Sequence, residues 1–460
     1  MLCKTLPTKQ SATVLVVLFF GLLLGAARAQ TESVLYTFCA QGGENCTDGS
    51  NPQAGLVFDQ KGNLYGTASS GGVSNICSGP PPGCGVVFKL TSEGKETVLH
   101  SFCTQTNCPD GEEPNVGVVL DQGGNLYGTT PYGGAHLAGV VFRLTPAGTY
   151  RVLHSFCALN NCRDGSSPQG GLLLDQKGNL YGTTSYGGAY GAGVAFRVTP
   201  QGKETILYSF CAQGPPCTDG ANPSAGLIFD QQGNLYGTTY RGGTDPFGCG
   251  GYGCGVAFKL TLQGKEKVLY SFCAQSGCPD GTQPYAGVVF DRKGNLYGTA
   301  GGGAHLDCGG YPPAGCGVVF KLNPEGKETV LYSFCAQTSC TDGAGPYGGL
   351  IVDRLGNLYG TAAGGAYEAG VVFKLTPKGK ETVLYSLCSK SGCTDGADPY
   401  GGLVLDRKGS LYGTAFYGGF GNYPYNCYSG CGVVFKLTPD PTSAENGSLD
   451  AMRGALPDTW

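Results

Sequence analysis

The sequence predicts an all-β fold: a seven-bladed β-propeller of four-stranded antiparallel blades, closed by the N-terminal strand. Three observations predict it. A nine-residue motif recurs seven times, four short strand candidates accompany each copy, and the two ends of the repeat region are out of phase in a complementary way.

The motif Asp-x-x-Gly-Asn-Leu-Tyr-Gly-Thr begins at Asp59, Asp121, Asp175, Asp230, Asp291, Asp353 and Asp406, with Ser410 replacing Asn in the last copy. In the first unit the strand candidates are A (Gly55 to Phe58), B (Asn63 to Thr67), C (Gly85 to Leu90) and D (Thr97 to Phe102). The A to B link, Asp59-Gln60-Lys61-Gly62, has Asp first and Gly fourth, as a type I turn favours. The C to D link, Thr91-Ser92-Glu93-Gly94, is equally short and polar. Antiparallel pairing of four strands follows, and no sustained 3.6-residue apolar period predicts helix. One such sheet cannot bury both of its faces, so it must pack against identical neighbours. Closure is read from the ends. The repeat region begins with a D-like strand, Ser33 to Phe38, and stops after a C-like strand, Gly432 to Leu437, so the first completes the blade of the second. A solenoid or a pair of smaller domains would not begin and end in matching phase.

Residues 1–29 read as a secretory signal, with Lys4 and Lys9, an apolar run from Val14 to Leu24, and the small-residue site Ala27-Arg28-Ala29. The propeller then occupies 30–438, and 439–460 form a flexible polar tail. No transmembrane segment is expected in the mature chain. Loss of Lys4, Lys9 and Arg28 leaves 26 basic against 33 acidic residues, which argues against nucleic acid as a partner. The 82 glycines and the low charged fraction of 13% suit short strands joined by tight turns.

The run Gly-Asn-Leu-Tyr-Gly-Thr, the following Gly-Gly, the strand Gly-Val-Val-Phe-Lys-Leu and the strand Val-Leu-Tyr-Ser-Phe resemble the choice-of-anchor tandem-repeat family called GloVer, over residues 32 to 438. The resemblance implies a bacterial secreted or surface protein with a propeller-like fold. It implies no activity that transfers residue by residue. Residues 439–460 carry no hydrophobic tail, a departure from the anchored members.

Of 23 cysteines, Cys3 leaves with the signal, and the remaining 22 fall into close pairs. Each D to A link holds one: Cys39 and Cys46, Cys103 and Cys108, Cys157 and Cys162, Cys211 and Cys217, Cys273 and Cys278, Cys335 and Cys340, Cys388 and Cys393. Four B to C links hold another: Cys77 and Cys84, Cys249 and Cys254, Cys308 and Cys316, Cys427 and Cys431. The second pair comes and goes as a unit, so each pair closes within its own loop. Zinc is the competing reading, but a zinc site needs four convergent ligands and a secreted chain is oxidised. In an up-and-down blade the D to A and B to C links share one face of the disc, so all eleven bridges lie together. That face also carries the variation in loop length, where binding usually resides.

Candidate ligand-binding residues come from the B to C loops: Tyr132, His136, Tyr186, Tyr190, Arg241, Tyr252, His305, Tyr311, Tyr367, Tyr417, Tyr423 and Tyr425. Aromatic rings on glycine-rich loops can stack on sugars or peptides. The same rings can instead pack over neighbouring glycines and disulfides. The longer loops of units 4, 5, 7 and 1 should raise two walls with a depression between them. His100 and His154 occupy the D-strand place of Tyr36, Tyr208, Tyr270, Tyr332 and Tyr385, and read as structural. The seven Asp-Gly pairs, such as Asp48-Gly49, suggest turn formers before calcium ligands. No Gly-x-Ser-x-Gly elbow, phosphate loop or His-Glu-x-x-His pair occurs. No catalytic residue, cofactor or metal is expected. The expectation is a monomeric, secreted, non-enzymatic binding or structural module for a glycan or protein. The alternative is a glycan-active hydrolase or lyase using acids of the disulfide face.

Overall fold

A computed structural model describes residues 30–41, 46–78, 81–244, 249–303, 308, 315–419 and 430–439. The expected signal and nearly all of the expected tail lie outside the described residues, as do His305, Tyr311, Tyr423, Tyr425 and Cys427.

Among the described residues, twenty-eight strands form seven four-stranded antiparallel sheets. Blades 1 to 6 each use four consecutive strands in the order A-B-C-D. In blade 1 these are Val57–Phe58, Leu64–Ala68, Val86–Leu90 and Glu96–Ser101. Blade 7 takes Val404–Leu405, Leu411–Ala415 and Val433–Thr438 from its own end of the chain and receives Thr31–Thr37 as its D strand. Pairing there runs from Thr31↔Thr438 to Thr37↔Val433. The ring is closed by the N-terminal strand, as the out-of-phase ends predict. Among the described residues the only helices are three single 3-10 turns, and no helix is long and apolar enough to cross a membrane.

Strand A is shorter than the sequence suggests, two residues in every blade. The cause is the crowding of its entry. A Cβ on Gly55 would lie 3.4 Å from the Gly402 carbonyl, one on Gly117 2.6 Å from that of Gly55, and one on Gly287 3.0 Å from that of Gly226. Equivalent residues of adjacent blades can touch backbone to backbone only beside the axis, so these glycines line the hub. The motif Thr then bonds sideways: Thr67 Oγ1 donates to the Val116 carbonyl (3.0 Å), and Thr414 Oγ1 to that of Ala54 (2.9 Å), across the closing seam.

The motif Asp organises the opposite face. Asp59 Oδ1 accepts the Lys61 and Asn63 amides, while Oδ2 accepts Asn63 Nδ2 (2.6 Å) and the Tyr65 hydroxyl (3.2 Å). Gly62, at φ +84°, completes the turn. Every C–D pair carries a register shift, at Val87/Phe88 in blade 1 and Val34/Tyr36 in the closing strand, which strengthens the twist of the outer edge. Strand C is buried on both faces. Val86, Phe88 and Leu90 pack with Tyr412 and Val434 of blade 7, while Val87 packs with Phe102 and Phe142 of blade 2. The core is therefore a ring of seams between blades, each burying what one sheet cannot bury alone.

Candidate functional site at the hub of the disulfide face

The D to A and B to C loops meet at one face through paired bridges such as Ser50↔Ser70, Glu112↔Tyr132, Ser166↔Tyr186 and Ala397↔Tyr417. Ten of the expected disulfides join described residues, each within its own loop. Cys431 is also disulfide-bonded, and the expected partner Cys427 lies outside the described residues. The Asp of each Asp-Gly pair turns inward to its own loop. Asp48 is fully buried and accepts the Ala40 amide (2.9 Å) and the Tyr36 hydroxyl (2.6 Å), and Gly49 takes φ +94°.

Two residues beyond each Asp-Gly glycine the chain enters the left-handed region, at Asn51, Glu113, Ser167, Asn222, Gln283, Gly345 and Asp398, with φ from 52° to 58°. There its amide donates to the preceding blade, for example Asn51 to the Cys431 carbonyl and Gln283 to that of Cys254. Four of these seven acceptors are the second cysteine of a B to C bridge: Cys84, Cys254, Cys316 and Cys431. The B to C disulfides thus brace the carbonyls that join the blades. A proline follows, and it delivers the next residue beside the hub glycines.

That next residue breaks the sevenfold repetition. It is Gln53, Asn115, Gln169 and Ser224 in blades 1 to 4, and Tyr285, Tyr347 and Tyr400 in blades 5 to 7. The three tyrosines form a chain of edge contacts, with ring centroids 5.5 Å apart for Tyr285–Tyr347 and 6.0 Å for Tyr347–Tyr400. Tyr240 extends it at one end (4.7 Å from Tyr285), and Phe416 at the other (5.6 Å from Tyr400). Gly301 lies under the arc, where a Cβ would sit 3.5 Å from both Tyr285 and Tyr347. Although they touch one another, Tyr285, Tyr347 and Tyr400 keep 36 to 41% of their surface exposed. Burial holds the Tyr285 hydroxyl well above the usual phenol range, helped by the adjacent Tyr240. Burial, with Asp398 beside it, pushes Tyr400 up to about 12. Both remain neutral hydrogen-bond donors over the physiological range.

The other half of the hub is polar. Asn115 Oδ1 and Ser224 Oγ are buried atoms without a hydrogen-bond partner among the described residues, and Gln169 Oε1 accepts from Ser185 Oγ at 3.4 Å. The acids nearest in the chain, Glu113 and Asp398, have their carboxyls pushed up by burial. An arc of ring edges and faces beside an arc of amides and hydroxyls suits a neutral ligand with both C–H and O–H groups.

Tyr132, Tyr186, Tyr190, Tyr252 and Tyr367 are 45 to 63% exposed, and His136 is exposed too. Tyr132 and His136 share the B to C loop of blade 2, Tyr186 and Tyr190 that of blade 3, and Tyr252 and Tyr367 lie in those of blades 4 and 6. Arg241 and Tyr252 do meet, the guanidinium lying 4.6 Å from the Tyr252 centroid and 5.7 Å from that of Tyr240. Tyr417 abuts Phe416 at 4.6 Å. These three candidates therefore border the two ends of the arc. The arc itself comes from D to A loops, which a search of B to C loops passes over. The signal was present in the sequence, as three aromatics at the one position after Pro where the first four units carry polar residues.

Closed seven-bladed ring, disulfide-braced loops on one face and an asymmetric hub define a β-propeller of the kind that presents loops on a rigid disc. Within that class the chain belongs to the Gloeobacter/Verrucomicrobia repeat family, whose model matches residues 24–249 and 247–458. No curated protein matches the chain. Solved structures similar in fold include a putative gluconolactonase (14% identity, 90% of this chain and 92% of that one, TM-score 0.39). A putative 6-phosphogluconolactonase from Bacteroides uniformis aligns at 16% identity over 72% of this chain and 83% of that one, with TM-score 0.42. The polysaccharide lyase Uly1 aligns at 12% identity over 85% of this chain and 90% of that one, with TM-score 0.48.

Proposed function

We propose that the protein is a secreted, non-enzymatic binding module that holds a neutral, polyhydroxylated ligand, a glycan chain, at the hub of its disulfide face. The observation that carries this reading is the broken symmetry of the position after Pro: Tyr285, Tyr347 and Tyr400 on one side, Gln53, Asn115, Gln169 and Ser224 on the other. Sugars offer C–H faces to rings and hydroxyls to amides, so both arcs gain by one ligand. The braced loops order the site before binding, which lowers the entropic cost of association. The disulfides suit an oxidising compartment.

A glycan array, with titration calorimetry on each hit, tests the reading. Hits that weaken at least tenfold in Tyr347→Ala support it. Affinity unchanged by Tyr347→Ala would place binding elsewhere. Chain cleavage of the same hit, abolished by Glu113→Gln or Asp398→Asn, would favour the hydrolase or lyase alternative, because these are the acids flanking the hub.

A further inference from the structure

Between the blades runs a second repeated constellation, on the outer side of the D to A loops. In five seams a D-strand tyrosine donates to the buried Asp of the Asp-Gly pair, at 2.6 to 2.8 Å: Tyr36 to Asp48, Tyr208 to Asp219, Tyr270 to Asp280, Tyr332 to Asp342 and Tyr385 to Asp395. A glutamate from the next D strand stands beside several of these pairs, as Glu96 does beside Asp48. Two seams carry histidine instead. At one, His100 Nε2 makes a 3.0 Å hydrogen bond to Asp110, and Tyr150 stacks on its ring where another seam would place the glutamate.

The seam between blades 2 and 3 alone among the described residues combines histidine with both carboxylates. His154 Nε2 lies 3.7 Å from Asp164 Oδ2 and 3.7 Å from Glu204 Oε2, too far for a hydrogen bond to either. It has no hydrogen-bond partner, and neither has Glu204 Oε1. The three side chains are only 14%, 1% and 10% exposed. We propose that this seam binds one divalent cation of the zinc class through His154 Nε2, Asp164 Oδ2 and Glu204 Oε2.

Two ligands at about 2.1 Å on a tetrahedral zinc stand roughly 3.4 Å apart, so the two separations from His154 need to close by only a few tenths of an ångström, and the three ligand atoms all lie within 4.8 Å of one another. The supporting contacts are in place. Asp164 accepts the Ala158 amide at Oδ2 (2.8 Å) and the Leu159 amide at Oδ1 (3.0 Å), which fixes the carboxylate, and Phe156 packs edge-on against the His154 ring (4.8 Å).

The test uses the mature, disulfide-intact protein after dialysis against EDTA, titrated with zinc chloride by calorimetry and with cobalt(II) by visible absorption. One equivalent of zinc and the absorption bands of four-coordinate cobalt are expected. His154→Tyr installs the residue that five other seams carry, so the blade keeps its fold, checked by circular dichroism. Zinc affinity should fall at least tenfold in it, and in the near-isosteric Glu204→Gln. Absence of stoichiometric zinc binding in the unaltered protein, or equal affinity in His154→Tyr and Glu204→Gln, would overturn the proposal.

Discussion

Truncating Phe38 to alanine isolates the seam that closes the ring. Phe38 follows the N-terminal strand, is fully buried, and meets Phe88 of blade 1 edge-on at 5.1 Å, while its amide donates to the Gly432 carbonyl of blade 7. Phe334 is its counterpart in an internal seam, also fully buried, with Phe373 at the same 5.1 Å. Removing a buried Phe ring costs about 3–5 kcal/mol through lost transfer energy and the cavity left behind. At roughly 2.1 cal/mol/K of unfolding entropy per residue, 1 kcal/mol corresponds to about 1 °C for a propeller of this length. Phe38→Ala and Phe334→Ala should therefore each lower Tm by about 3–6 °C, and by the same amount as each other. Scanning calorimetry of the oxidised protein reads both. A drop near zero for Phe38→Ala, with the full drop for Phe334→Ala, would mean that the ring is open at blade 7.

Stability should depend on pH with opposite signs from two sets of acids. Burial, reinforced by the neighbouring Asp, pushes Glu96, Glu266, Glu328 and Glu381 up to about 7. A folded-state value above the unfolded one gives stability that is complete below the ordinary glutamate range and lost as pH rises through about 7, so Tm should fall between pH 5 and 8. Asp59, Asp121, Asp230 and Asp291 are also pushed up by burial, but the hydrogen bonds of their turns outweigh it and hold them below the usual range. Their contribution is present above pH 4 and lost as pH falls through their folded values, so thermal scans should peak in mild acid; a curve flat from pH 5 to 8 would refute the glutamate part. Replacing Cys39 and Cys46 by serine should cost about 2.5 kcal/mol from loop-closure entropy, read in urea, and non-reducing peptide maps of the unaltered chain should recover only loop-local links. Glu113→Asn should stabilise by up to about 1 kcal/mol, since Glu113 sits at φ 55° where asparagine is better tolerated; destabilisation would show that the Glu113 side chain is itself needed.

The blade order, the closure and the loop-local bridges were legible because each rests on a local signal repeated seven times. Asp59 to Thr67 states its own turn and strand, and Ser33 to Phe38 states its own lack of a partner. The length of strand A was not legible, because what ends it is the approach of Gly55 to Gly402, residues far apart in sequence. The hub arc was half legible. Tyr285, Tyr347 and Tyr400 are visible as a break in the repeat, but that they touch follows only from the narrow circle the hub glycines impose. His154 read as a tyrosine substitute, and locally it is one. Its difference comes from Glu204, which the next blade supplies, and from an imidazole reach that falls short of Asp164.

The proposed site is the hub arc, and not the outlying loop tyrosines. Two triple variants, Tyr285→Ala/Tyr347→Ala/Tyr400→Ala and Tyr132→Ala/Tyr186→Ala/Tyr367→Ala, compared on one glycan array, test it most directly. The first set should lose the hits of the unaltered protein while the second retains them; retention by the first set together with loss by the second would contradict the claim.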